Sequence, residues 1–163
     1  MKLTHFFLFA FALTIISCTT DSVQNDEALF ENDTTTVQLT LSQDETELFD
    51  LVNTHRAAQG LNELIFSKET YEFAEEHNKF MIAEGEISHK NFSQRASKVA
   101  KKTKAIKVGE NVAKSFTTPN AAVKAWLNSK SHKKALEGNY THSTISITES
   151  DEGELYYTQI FFR

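Results

Sequence analysis

One cysteine, one proline and one tryptophan stand in the whole chain of 163 residues. A lone cysteine excludes an intramolecular disulfide, so the fold has to be held by its core alone, without the covalent staples usual in small exported domains. With a single tryptophan, aromatic packing falls mainly to the thirteen phenylalanines. Basic charge is also short: the formal net charge is -5, so no general positive field attracts nucleic-acid phosphates, and a nucleic-acid partner is not expected. No apolar run reaches the length of a membrane-spanning helix, and no internal repeat is visible. What remains, 40% hydrophobic and 24% charged residues in a chain of this length, suits one ordinary globular domain and not comfortably two.

The first eighteen residues give the cysteine a role. Lys2 supplies a positive start, and Phe6–Leu13 is an apolar run of signal-peptide length, too short to cross a bilayer about 30 Å thick. Ile15-Ile16-Ser17-Cys18 resembles a bacterial lipobox. Cleavage before Cys18, with a diacylglycerol on its sulfur, is the expectation, and two or three acyl chains anchor firmly where one is marginal. The expected organisation is a lipoprotein signal peptide at 1–17, a lipidated Cys18 with a polar tether through residue 45, and a domain at 46–163. The tether is rich in Asp, Glu and Thr and poor in periodic apolar residues, the composition of a flexible linker. Val37, Leu39 and Leu41 alternate and leave a short strand open there.

Ser42-Gln43-Asp44-Glu45 fits a capping box opening the first helix, which Gly60 ends. A second helix follows Ser67 with a stripe through Phe73, Ala74, His77, Phe80 and Met81, ending by Gly85. A third starts at Pro119, a residue suited to a first turn, and runs through Trp126 and Leu127. Strands are expected at Val108–Ala113, Ser143–Thr148 and Leu155–Phe162, with Asp151–Gly153 as a hairpin turn. Residues 86–107 read as irregular, and the lysines at 101, 102 and 104 read either as a solvated loop or as a contact for anionic lipid or glycan. Consecutive strands without a crossover helix imply an antiparallel sheet, hence an α+β fold.

Five segments then appear in order: Leu51–Arg56 with Gly60–Leu64, Ser88-His89, Gly109–Ala113, Trp126–His132 and Tyr156–Phe161. Together they resemble the CAP (SCP) superfamily over about residues 46–162. The resemblance implies a CAP-type α-β-α sandwich with a small three-stranded antiparallel sheet covered by helices. It also implies a cleft in which His89, His132 and Glu110 occupy three of four family positions, the second acid being replaced by Ser129. Two imidazoles and a carboxylate suit zinc or another divalent ion; the same trio without metal suits general acid–base chemistry. Glu110 as a metal ligand, Glu110 as the group orienting an imidazole, and a purely structural hydrogen-bond network all stay open. His77 is expected as a hydrogen-bonded core residue, His55 as partly buried beside Arg56, and Trp126 as core; His142 is left near the cleft rim.

The functional expectation is a monomeric, envelope-anchored CAP-domain lipoprotein, exported and held outside the cytoplasm. It would bind a lipid-like, glycan or peptide ligand in the His/Glu-lined cleft, with or without zinc. The alternatives are a peptidase-like hydrolase using His89, Glu110 and His132, and a structural envelope protein.

Overall fold

The computed structural model describes residues 39–163. The signal peptide, Cys18 and most of the tether lie outside the described residues, as does Val37; Leu39–Leu41 form no strand. The first helix, α1 (Gln43–Ala58), begins where the sequence places it. Ser42 Oγ accepts from the Glu45 amide at 3.2 Å, and Glu45 Oε2 accepts from the Ser42 amide at 2.9 Å, a complete capping box. Glu45 does more than cap. It is buried, and its other oxygen takes the Tyr71 hydroxyl at 2.8 Å and the Ile147 amide at 3.0 Å. Residues 42–45, the end of the tether in the expected organisation, belong to the fold, as the capping box in their sequence implies.

After α1 the chain passes through a two-residue strand, β1 (Ile65–Phe66), and a 3-10 turn, Lys68–Thr70, into helix α2 (Tyr71–Glu84). Gly85 ends α2 at φ 71°, a left-handed conformation that glycine adopts without steric cost. The stretch expected as irregular contains a further helix, α3 (Phe92–Thr103). Strand β2 (Val108–Lys114), helices α4 (Pro119–Asn128) and α5 (Lys130–Leu136), and the strands β3 (His142–Glu149) and β4 (Leu155–Phe162) complete the order. Thr118 Oγ1 caps α4 by accepting from the Ala121 amide at 3.2 Å, with Pro119 in the first turn.

The sheet has four strands in the order β1-β3-β4-β2. The three long strands pair antiparallel as expected; the fourth, β1, is a parallel addition at the edge beside His142 and Ser143. Alternation along the strands divides the core. Ala113, Ile145, Tyr157 and Phe161 join Leu48, Val52, Val123 and Trp126 beneath α1 and α4. From the other face, Ile160 and Phe162 meet Phe73 and Val99, while Val112 and Tyr156 meet Met81. Helices thus cover both faces, the α-β-α sandwich. No helix among the described residues is long and apolar enough to cross a membrane.

Candidate functional site

Even-numbered side chains of β2 face α2 and α3, which brings Glu110 beneath both. The Glu110 side chain is only 2% exposed, and a carboxylate so buried has to be paired. Its partner is Arg95 of α3, itself buried. Arg95 Nε donates to Oε2 at 2.7 Å and Nη2 donates to Oε1 at 2.8 Å, the two-pronged geometry that a guanidinium offers a carboxylate. Arg95 Nη1 donates to the Lys90 carbonyl at 3.0 Å, tying the same side chain to the loop that carries His89.

His89 is half exposed, and its Nδ1 lies 2.9 Å from Glu110 Oε1. With the proton on Nδ1, the Glu110 carboxylate fixes the ring and leaves Nε2 free at the surface. Burial by itself raises the Glu110 pKa. The hydrogen bonds from His89 and Arg95 and the Arg95 charge outweigh it, so the net shift is below the ordinary 4.5. His77 of α2 completes the inner layer. Its Nε2 is 2.8 Å from the Ser88 carbonyl and 3.8 Å from Glu110 Oε1, and its ring stacks on Phe80. Burial is the main reason its pKa falls below 6.5, so the ring is neutral and donates Nε2–H to Ser88. This is the hydrogen-bonded core histidine expected from the helix stripe.

His132 arrives from the other side of the sheet edge, on α5. Asn111 Nδ2 donates to the His132 carbonyl at 3.0 Å, and Trp126 Nε1 donates to the Val112 carbonyl at 2.9 Å, so neighbouring residues of β2 hold the helices that present it. Its pKa is lowered by burial first and by the nearby His89 second, which puts the two imidazoles within electrostatic reach. They do not line the same hollow. His89 and Glu110 border a cleft of about 400 Å³ whose wall also carries Phe92, Lys107, Lys134 and Tyr140. His132 borders a groove of about 460 Å³ further along β2, with Ile87, Phe116 and Trp126.

Both Glu110 oxygens are engaged by Arg95, so the carboxylate serves as an orienting group, and it becomes a metal ligand only by giving up the guanidinium. Among the described residues no three His, Cys, Asp or Glu side chains are grouped to hold a metal ion. The donors left facing solvent are His89 Nε2 and the His132 imidazole.

Sequence reasoning passed over Arg95, the residue that makes Glu110 tolerable inside. The available signal was Arg95 and Val99 spaced one helical turn apart behind Phe92. Of the other histidines, His55 bonds Glu137 at 3.0 Å. Beside it Arg56, fully buried, donates to the carbonyls of Asn62, Leu136 and Gly138. His142 stacks on Phe162 at the end of the sheet.

Comparison with known proteins bears on the fold and the family. A Bacillus subtilis protein described as the uncharacterized membrane protein YlbC is 32% identical over 132 residues, which is 73% of this chain and 34% of that protein. The uncharacterized protein YkwD of the same organism is 31% identical over 123 residues, 73% of this chain and 48% of that protein. The chain therefore spans between a third and a half of these relatives. Among solved structures, an extracellular SCP-domain protein of Bacillus anthracis superposes with TM-score 0.64 at 28% identity, covering 74% of this chain and 40% of that one. An outer surface protein of Borrelia burgdorferi gives TM-score 0.69 at 22% identity, covering 77% and 96%; at that identity the likeness is one of fold. The model of the cysteine-rich secretory protein family matches residues 49–161, and the chain belongs to that family, the CAP superfamily.

Proposed function

We propose that this protein is an envelope-anchored lipoprotein whose CAP domain binds a lipid-like, glycan or peptide ligand in the cleft beside His89. The observation that carries this reading is the buried Arg95–Glu110 pair holding an exposed imidazole at the mouth of a hollow of about 400 Å³. Burying a charged pair costs desolvation that packing alone avoids, and a fixed imidazole beside an aromatic wall is what a recognition site requires. Ligand binding is tested by native mass spectrometry of the protein recovered from its own envelope. A bound mass carried by the wild type should be lost when the exposed cleft residue Ser131 is changed to Trp. Equal loading of both proteins would put the ligand elsewhere.

Two further parts of the reading have their own tests. Cys18→Ser should release the protein from the membrane fraction; full retention would end the lipoprotein assignment. Zinc titrated by calorimetry into the wild type should bind weakly, through two imidazoles, and more weakly in acid because protonated imidazole does not ligate. Identical binding by a folded His89→Ala/His132→Ala variant would remove the pair from any metal role.

One observation favours a second reading. Glu110 holding Nδ1–H leaves His89 Nε2 as a proton acceptor, the arrangement a hydrolytic general base needs. Turnover of envelope peptides that disappears in His89→Ala, with folding intact, would select it over ligand binding.

A further inference from the structure

A part of the surface that adjoins the cleft and shares Lys107 with it combines charge with exposed apolar side chains. Strand register puts Ile65, His142, Phe162 and Val108 in one row across all four strands. Ile106 lies just beyond that row, where its amide and that of Lys107 donate to the Arg163 carbonyl. Ile65 is 61% exposed and Ile106 83%. A folded protein has to expose some apolar atoms, but these two isoleucines share one end of the sheet, separated by three interstrand steps of about 4.8 Å each. The Ile106 segment is fixed: it is tied to β4 by backbone bonds on both sides, since Arg163 donates back to the Lys107 carbonyl.

Cations collect around the same end. Lys101, Lys102 and Lys104 close α3, Lys107 follows Ile106, and Lys68 opens the 3-10 turn after β1. Lys102 pairs with Glu72, while Lys68, Lys101 and Lys104 form no ion pair among the described residues. Lys107 sits over the Tyr140 ring at 4.5 Å. The acids close in chain or contact are Glu63, Glu69 and Glu72, so this end of an otherwise acidic molecule is locally positive.

We propose that this end of the sheet is a docking face for an anionic bilayer, with Ile65 and Ile106 entering the headgroup layer and the lysines meeting lipid phosphates. Apolar side chains amid lysines are the combination that binds anionic membranes peripherally. Charge complementarity singles out the bilayer as partner, since an apolar protein patch has no need of unpaired lysines.

The test uses the full chain carrying Cys18→Ser, with a new cysteine for an environment-sensitive fluorophore at one of two places. Ile106→Cys reports the proposed face, and Asp151→Cys reports the β3–β4 hairpin at the opposite end of the sheet. Orientation on the vesicle and dependence on lipid charge are the readouts. With phosphatidylglycerol-containing vesicles the label at 106 should shift to the blue and be quenched by lipid-borne quenchers, while the label at 151 stays as in buffer. Phosphatidylcholine alone should give little shift at either position. Adding Lys101→Glu/Lys104→Glu should weaken the response at 106 on the order of tenfold, and Ile65→Asp should weaken it independently. No shift at 106, an equal shift at 151, or an equal response on phosphatidylcholine would each overturn the proposal.

Discussion

Glu110 shows how much one buried charge demands of its neighbours. Arg95 supplies two hydrogen bonds and its charge, His89 a third bond, and His77 stands behind them neutral. Removing one member of a buried pair strands the other, so Arg95→Ala should cost about 3–5 kcal/mol in urea unfolding. An unchanged midpoint would mean that water reaches the carboxylate. Acid should act in two stages. The folded pKa of His77 lies below 6.5, so its contribution is complete above about pH 6.5 and declines as pH falls toward the depressed value, because the unfolded chain takes up the proton first. The folded pKa of Glu110 lies below 4.5, so its contribution is complete above that value and is lost as pH falls through the lower, folded one. His77→Gln should flatten the upper stage and Glu110→Gln the lower when urea midpoints are followed from pH 8 to pH 3. Of this constellation, the sequence revealed His89, Glu110 and His132 by family pattern and His77 by helical stripe. Arg95 was hidden because an arginine on a polar helix reads as solvated until its carboxylate is placed beneath it.

At the scale of elements, capping and periodicity made α1, α2, α4 and the three long strands legible, several to the residue. Helix α3 escaped because its buried face is narrow. Arg95 and Val99 are its only buried residues, its N-cap is Asn91 at φ 61° without a side-chain bond, and serines and lysines fill the rest. Tertiary packing, not local preference, makes it a helix. Strand β1 was invisible for a related reason: two residues hold no period. The motif glycine of β2 shows its purpose only in three dimensions. A Cβ at Gly109 would collide with the Tyr140 hydroxyl, so Gly109→Ala should destabilise clearly. The penalty should shrink in a Tyr140→Phe background, where the oxygen is gone. Additive losses in this double-mutant cycle, read by thermal melting, would refute the close approach. Trp126 is 1% exposed and donates to Val112. Trp126→Ala should cost about 3–5 kcal/mol, and Trp126→Phe a smaller amount near 1 kcal/mol for the hydrogen bond; a midpoint untouched by either would place the indole outside the core.

For the whole molecule, the boundary between tether and domain is a stability question. A chain starting at Ser42 keeps the capping box and Glu45, and should melt cooperatively close to the temperature of the longer protein. One starting at Thr46 loses the cap and the bonds from Glu45 to Tyr71 and Ile147, and should melt several degrees lower. Equal melting of the two would show that Glu45 contributes nothing. The placement of β4 has a consequence for how the protein comes into being. It is the last of the described strands and an inner strand of the sheet, with β2 on one side and β3 on the other. Until residues 155–162 emerge, neither neighbour has a long partner, and Ala113 and Ile145 lack the Tyr157 and Phe161 that fill the sheet between them. Those contacts join distant parts of the chain, the kind that form slowly. A growing chain therefore stays open until β4 is made, and a passage that admits only extended polypeptide would find it still threadable.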